Sequence, residues 1–289
     1  MKKEILRAPS QSFIGCESSL EDSRIVIFGA PFDSTTSYRP GARFAPSAIR
    51  SESFGIETYS PYLDADLADY DLFDSGDLEL PFGAPEPALV LIREHAATIA
   101  AKGKIPFMIG GDHLVTLGAV EALAAQGELY ILHFDAHTDL REQYLGAPLS
   151  HATVLRRCWD LVGDGKIHQF CIRSGERAEF EWAKQHTHLE KFSYSSLTQA
   201  VAAIPKGARV YLTIDLDVFD PCHFPGTGTP EAGGIGFPDF CCILHTLRGL
   251  NIVGADIVEL SPHYDHTGIS TALACKVTRE LLLLLAQGP

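Results

Sequence analysis

The chain has 289 residues, of which 46% are hydrophobic, and a formal net charge of -14 at neutral pH. This length suits one sizeable α/β domain, and the negative charge argues against nucleic acid or an anionic membrane as a partner but is compatible with a small cationic substrate. The seven cysteines, an odd number without a Cys-x-x-Cys pair, favour reduced thiols. Residues 1–7 have no apolar segment behind their basic side chains, and no leucine run is long enough to span a bilayer. We therefore expect a soluble cytoplasmic protein.

Apolar strand-like runs alternate along the chain with longer helical patterns. The predicted strands are, in chain order, 25–28, 106–109, 129–134, 166–172, 210–214 and 252–258. The predicted helices are 87–102, 117–126, 176–185, 238–248 and 270–287. This alternation favours parallel strand pairing with helices on both faces of the sheet. Because no linker or low-complexity segment interrupts it, residues 1–289 are expected to form a single domain.

Potential metal ligands follow three of these strands. Asp135, His137 and Asp139 stand at alternate positions after strand 129–134, Asp215 and Asp217 do so after strand 210–214, and a Gly-Gly-Asp-His run after strand 106–109 ends in His113. Alternate residues of a strand point to one side, and parallel sheets bind ligands at the carboxyl ends of their strands. The sequence therefore predicts one metal site built from three strand ends.

The chemistry of these six side chains favours two metal ions. Four carboxylates exceed what one divalent ion needs, so some are expected to bridge. Oxygen-rich sites favour Mn²⁺ or Mg²⁺ over structural zinc, and the two imidazoles favour Mn²⁺. Two such ions sharing a water would lower its pKa and make a hydroxide nucleophile available at neutral pH.

At these positions the chain resembles the arginase and agmatinase family of ureohydrolases. The residues that carry the resemblance are Gly-Gly-Asp-His at 110–113, Asp-Ala-His-Thr-Asp at 135–139 and Asp-Leu-Asp-Val-Phe-Asp-Pro at 215–221. The sequences at 139–144 and 172–175 are most similar to those of bacterial agmatinases. The resemblance implies a three-layer α/β fold with a central, mostly parallel eight-stranded sheet, two Mn²⁺ per subunit, and a homo-oligomer, either a trimer or a hexamer.

The resemblance also implies a ligand set for each manganese ion. The ligands of one ion would be His113, Asp135, Asp139 and Asp215. The ligands of the other would be His137, Asp135, Asp215 and Asp217. Asp135 and Asp215 would thus bridge the two ions.

The implied reaction is the hydrolysis of agmatine to urea and putrescine, a step of polyamine biosynthesis. A metal-bridging hydroxide would attack the guanidinium carbon, and Asp139 would relay its proton. His151 is the expected general acid, because an ordinary histidine pKa lies near the working pH. Glu259, which follows strand 252–258, would pair with the guanidinium group, and Thr229 would add a hydrogen bond to it.

The substrate remains open at this point. Arginase-like members bind the head group of arginine with Asn, Ser and Thr residues, and loop 140–149 here lacks that set, which favours agmatine over arginine. Arg141 leaves a carboxylated substrate such as guanidinobutyrate open, and aminopropylagmatine is a further candidate. A catalytically silent metal-binding homologue and a zinc amidohydrolase are the alternatives to this reaction, although the doubled Asp ligands argue against a single zinc ion.

Overall fold

A computed structural model describes residue 6 and residues 8–289. The expectation that residues 1–7 carry no secretory signal concerns a stretch that, except for Leu6, lies outside the described residues. The strands are β1 Ile25–Gly29, β2 Tyr59–Ser60, β3 Ala65–Asp66, β4 Leu72–Asp77, β5 Ile105–Ile109, β6 Tyr130–Phe134, β7 Ile167–Ile172, β8 His188–Lys191, β9 Arg209–Asp215 and β10 Asn251–Val258. The helices are α1 Ala45–Glu52, α2 Pro85–Ala101, α3 Val115–Ala124, α4 Val154–Val162, α5 Arg177–His186, α6 Leu197–Ala203, α7 Phe237–Leu247 and α8 Ile269–Gln287.

Eight strands form one sheet in the order β4-β1-β5-β10-β9-β6-β7-β8, and each neighbouring pair is parallel. The short strands β2 and β3 form a separate antiparallel pair. Because all eight strands of the main sheet run the same way, their carboxyl ends meet along one edge. This edge is where the predicted ligands lie.

Helices cover both faces of the sheet, because each strand buries alternate side chains on opposite sides. In β1, Ile25 and Ile27 belong to one core, which packs against α1, α6, α7 and α8. Val26 and Phe28 belong to the other core, which packs against α2, α3, α4 and α5. The predicted three-layer fold with an eight-stranded parallel sheet is confirmed.

All six predicted strands and all five predicted helices are present, with shifted ends. The sequence patterns missed the two edge strands β4 and β8, the short strands β2 and β3, and helices α1, α4 and α6. An edge strand needs no continuous apolar run, and β4 carries polar residues such as Asp74, whose carboxylate accepts hydrogen bonds from the guanidinium of Arg50. Among the residues that the structure describes, no helix has the length and apolar character needed to cross a membrane.

Candidate metal centre

The ligand candidates converge because of the strand order. β5, β10, β9 and β6 are neighbours in the sheet, so the residues that follow them share one region of its carboxyl edge. His113 follows β5, Glu259 follows β10, Asp215 ends β9, and Asp135 follows β6. The structure brings the three predicted strand ends together, and β10 contributes a fourth.

The first group surrounds His113. Its Nδ1 atom lies 3.2 Å from a carboxylate oxygen of each of Asp135, Asp139 and Asp215. This nitrogen is buried and forms no hydrogen bond of acceptable geometry. One imidazole nitrogen can donate at most one hydrogen bond, so it cannot compensate three buried carboxylates. A divalent cation at this point would compensate them, so the donor set fits a metal ion.

The second group surrounds His137. Its Nδ1 atom lies 3.0 Å from Oδ2 of Asp217 and 3.5 Å from Oδ1 of Asp135. Asp135 therefore belongs to both groups. Two neighbouring sites that share a carboxylate are the arrangement expected for a pair of metal ions. The structure thus brings all six predicted ligands together.

Local hydrogen bonds orient these carboxylates. Asp215 precedes a short 3₁₀ turn, Leu216–Val218, and its side chain accepts a 2.8 Å hydrogen bond from the backbone N–H of Asp217. Asp217 in turn accepts a 3.1 Å hydrogen bond from the N–H of Ala136, which links the end of β9 to the end of β6. The side chain of Asp217 therefore extends from the end of β9 to the backbone at the end of β6.

The electrostatics show an excess of buried negative charge. Burial, followed by repulsion from Asp135, raises the pKa of Asp139 to about 7. Burial, followed by repulsion from Asp217 and Asp135, raises the pKa of Asp215 well above its ordinary value. Burial alone lowers the pKa of His113, but attraction to the three carboxylates that lie 3.2 Å from its Nδ1 raises that pKa well above the usual value. Without a cation these groups hold protons, and a bound divalent ion would displace them.

A cavity of about 290 Å³ opens over this centre. Its lining includes the candidate ligands His137, Asp139 and Asp215, together with His151, Thr229 and Glu259. The predicted ligands and the predicted substrate-binding residues therefore face the same space. This volume suits a small extended molecule.

His151 lies in the cavity wall. Its backbone N–H donates a 3.0 Å hydrogen bond to Oγ1 of Thr35, and its Nε2 lies 3.3 Å from the hydroxyl of Ser37. Burial lowers the pKa of His151 to about 4, so the ring is neutral at neutral pH. This differs from the sequence argument, which assigned His151 an ordinary pKa.

Glu259 and Thr229 are held beside the candidate ligands. Oε1 of Glu259 accepts a 2.7 Å hydrogen bond from the backbone N–H of His113, and burial, followed by repulsion from Asp112, raises the pKa of Glu259 well above its ordinary value. The hydroxyl of Thr229 donates a 3.3 Å hydrogen bond to Oδ2 of Asp217. Glu259 and Thr229 thus both line the cavity, and each is hydrogen-bonded to a candidate ligand residue, His113 or Asp217.

The sequence argument missed one member of the first group. Nε2 of His133 lies 2.7 Å from Oδ2 of Asp135, and both residues are fully buried. The signal was available, because His133 stands two residues before Asp135 and so points to the same face of the sheet.

Arg141, whose direction the sequence left open, is paired with acidic residues. Its Nη1 lies 3.1 Å from a carboxylate oxygen of Glu176, its Nε lies 3.6 Å from one of Glu179, and its guanidinium carbon lies 4.6 Å from the ring centre of Tyr144. Arg141 therefore adds little uncompensated positive charge to the cavity. This pairing weakens the argument for a carboxylated substrate.

Comparison with known proteins agrees with this geometry. The arginase family model matches residues 23–284. The chain is 46% identical to the agmatinase of Bacillus subtilis over 94% of this chain and 95% of that protein, and 39% identical to the N(1)-aminopropylagmatine ureohydrolase of Thermococcus kodakarensis over 83% and 84%. The solved structure of a candidate agmatinase from Clostridium difficile is 51% identical and superposes with a TM-score of 0.90, covering 93% of this chain and 99% of that one.

Proposed function

The chain belongs to the arginase family and is a ureohydrolase, and on this premise we propose that it hydrolyses agmatine to urea and putrescine. The observation that carries the proposal is Asp135, which is shared by two groups of metal-binding side chains beneath a cavity that also contains Glu259. The identity to agmatinases extends over nearly the whole chain and supports agmatine as the substrate. The product putrescine would make this a step of polyamine biosynthesis.

The proposed cofactor is a pair of Mn²⁺ ions. His113, Asp135, Asp139 and Asp215 would hold one ion. His137, Asp135, Asp215 and Asp217 would hold the other. Donors of oxygen and nitrogen without sulfur support manganese over zinc. When bound, the pair of ions supplies a hydroxide nucleophile by lowering the pKa of a shared water.

The remaining side chains would orient the substrate and move protons. Glu259 would accept hydrogen bonds from the guanidinium group, and its anchoring by the N–H of His113 fixes the carboxylate in place. Thr229 would hydrogen-bond the same end of the substrate from its position beside Asp217. Asp139 would take the proton released by the nucleophile, because its carboxylate lines the cavity beside the other candidate ligands.

His151 would deliver a proton to the departing amine. Because its pKa is about 4, we propose that a neutral His151 gives the hydrogen of one ring nitrogen to the departing amine, while its other ring nitrogen takes up the proton that Asp139 received from the nucleophile. Nδ1 of His151 is buried without a hydrogen-bond partner, so the ring keeps one unused position for such a transfer.

A second substrate, aminopropylagmatine, is favoured by one specific observation. A relative that is 39% identical over 83% of this chain is a ureohydrolase of that compound. Like agmatine, it is a cation at both ends. The pairing of Arg141 argues against arginine and guanidinobutyrate in comparison.

Further proposals concern the whole protein. We propose that residues 1–289 form one domain, since a single sheet carries the candidate site residues at the ends of β5, β6, β9 and β10. We also propose a cytoplasmic protein without nucleic acid or membrane partners, assembled as a homotrimer or homohexamer. Light scattering coupled to gel filtration would test the oligomer, and a monomer would refute that part.

The test of function is urea release from the Mn²⁺-loaded protein. Agmatine, aminopropylagmatine, arginine and guanidinobutyrate are supplied at equal concentration, and the metal-free protein serves as the control. We expect the highest kcat/KM with agmatine and no turnover without metal. Turnover of arginine alone would refute the substrate assignment, and full metal loading without any urea would favour a silent homologue.

A further inference from the structure

A row of buried polar side chains crosses the sheet directly beneath the candidate ligands. Asp256 of β10 pairs with Thr213 of β9, Thr213 with His133 of β6, and His133 with Gln169 of β7. All four residues have no exposed surface. Paired residues of parallel strands point to the same face, so the four side chains form one line, which we call the polar row. Polar groups buried inside a sheet cost free energy unless they are hydrogen-bonded. The hydrogen bonds of the row therefore indicate which of its atoms are donors and which are acceptors.

Two contacts determine the orientation of the Gln169 amide. Its Nε2 lies 2.8 Å from the backbone carbonyl of Thr138, which can only accept a hydrogen bond. Its Oε1 accepts a 3.1 Å hydrogen bond from the hydroxyl of Thr187. The atom that faces Nδ1 of His133 at 3.1 Å is therefore the NH₂ group of Gln169, because the reverse orientation would place two acceptors 2.8 Å apart.

This orientation sets the tautomer of His133. Nδ1 accepts from Gln169 and so carries no hydrogen, which leaves the hydrogen on Nε2. Nε2–H then donates to Oδ2 of Asp135 at 2.7 Å. A protonated nitrogen cannot bind a metal ion, so His133, although it lies among the potential ligands, holds the shared carboxylate from behind.

The other end of the row acts on His113. Asp256 accepts hydrogen bonds from the hydroxyls of Tyr211 at 2.6 Å and Thr116 at 2.9 Å, and it also interacts with the hydroxyl of Thr213, its partner on the next strand. Oδ1 of Asp256 is buried and has no other hydrogen-bond partner, so we assign the hydroxyl hydrogen of Thr213 to this carboxylate, which makes the Thr213 oxygen an acceptor. Nε2 of His113 lies 3.0 Å from that oxygen and so carries the hydrogen, which leaves Nδ1 free on the side of the carboxylates.

We propose that the polar row consists of positioning residues that fix the tautomers of two histidines, so that His113 offers Nδ1 to the metal while His133 holds Asp135 and is not a ligand. Both ends of the row thereby act on ligands of the same ion. The inference rests on the proposed metal centre and extends it to side chains that touch neither metal nor substrate. Such supporting residues typically change metal affinity about 10–100-fold when they are removed.

The first test is the affinity of the full-length protein for Mn²⁺, measured by titrating the chelator-stripped protein and following free Mn²⁺ by electron paramagnetic resonance. Thr213→Val keeps the shape of the side chain but removes the hydroxyl, and we expect about 10–100-fold weaker binding. Thr213→Ser restores the hydroxyl and should recover affinity to within about threefold. Thr278→Val, which makes the same change at a buried residue of α8 whose hydroxyl donates only to the carbonyl of Ala274, is the matched control and should bind as the wild type does.

Thermal unfolding in chelator separates a loss of fold from a loss of positioning. If Thr213→Val does not fold, Asp256→Asn tests the same end of the row with the same expected loss of affinity. Unchanged affinity in a folded Thr213→Val or Asp256→Asn variant would overturn the proposal. If the wild type binds no Mn²⁺, the proposed function fails as well, so the two failures are distinguishable.

The second test counts ions bound to His133→Asn at saturating Mn²⁺. A positioning role predicts the same number of ions per subunit as in the wild type, bound with lower affinity. The loss of one ion per subunit would show that His133 is itself a ligand and would overturn the tautomer assignment.

Discussion

Replacing Glu259 by Gln tests whether a carboxylate orients the guanidinium group. The side chain is 5% exposed, and Oε1 accepts a 2.7 Å hydrogen bond from the N–H of His113. An amide can keep that bond only by placing its oxygen towards His113, which turns its NH₂ group towards the cavity. The variant then faces a cationic substrate with a donor in place of an acceptor. A hydrogen bond to a charged group contributes about 1.5–3 kcal/mol, so we expect kcat/KM for agmatine to fall roughly 10- to 150-fold.

The assay is urea release at low substrate concentration from protein loaded with Mn²⁺. Glu128→Gln is the control, because it makes the same Glu-to-Gln change at an exposed residue that pairs with Lys166 and does not line the cavity. Metal content is measured on both variants, since Glu259 also touches the backbone of a ligand candidate. If Glu259→Gln has normal metal content and a kcat/KM within about twofold of the wild type, the proposed ion pair is refuted.

Three further predictions follow from the same structure. Asp135→Ala should abolish metal binding and turnover, because both metal groups share this carboxylate, and two tightly bound ions in the variant would contradict the shared role. His151→Asn should lower kcat far more than metal content, and an unchanged kcat would exclude His151 from proton delivery. Burial alone would raise the pKa of Glu190, but hydrogen bonds from Ser193, Ser195 and Ser196 lower it to about 2. Because the folded pKa lies below the unfolded one, this stabilisation is present above pH about 4.5 and is lost towards pH 2. Urea unfolding of Glu190→Gln should therefore show a stability deficit at pH 7 that shrinks below pH 4, and a deficit independent of pH would contradict this account.

The convergence of the ligand candidates could be predicted because they directly follow strands that are neighbours in a parallel sheet. The alternation predicted for them was wrong, since Asp139 has a left-handed backbone beyond the end of β6 and Asp217 lies in a 3₁₀ turn beyond β9. Within a strand, alternate residues do share one face. The same regularity, followed backwards along β6, would have identified His133. Strand order decides which buried residues meet, and the contact between Thr213 and His113 across 100 positions has no local signature.

The direction of Arg141 could not be predicted for a related reason. Its partners, Glu176 and Glu179, lie at the start of α5, more than 30 residues along the chain, and no periodic pattern links the two segments. The edge strands escaped detection because they carry few apolar residues. The pKa of His151 depends on how deeply the loop that carries it is buried, which is likewise a property of the tertiary structure.

The backbone at two site residues shows how the fold fixes the candidate site against local preference. Asp139 and Glu259 both adopt left-handed conformations, with φ of 51° and 67°, which non-glycine residues rarely adopt. The N–H of Glu259 donates a 3.0 Å hydrogen bond to the carbonyl of Gly111, and a side chain at Gly111 would meet the carbonyl oxygen of Phe32 at 1.7 Å. Only glycine therefore allows the chain segment after β5 to pack here and support the strained residue after β10. Such strain costs about 1–3 kcal/mol per residue and persists only where the surrounding structure imposes it. Gly111, in the Gly-Gly pair before Asp112, therefore serves both the packing and the candidate site. It allows the close approach of the two chain segments, and this approach holds Glu259 in the orientation that faces the cavity.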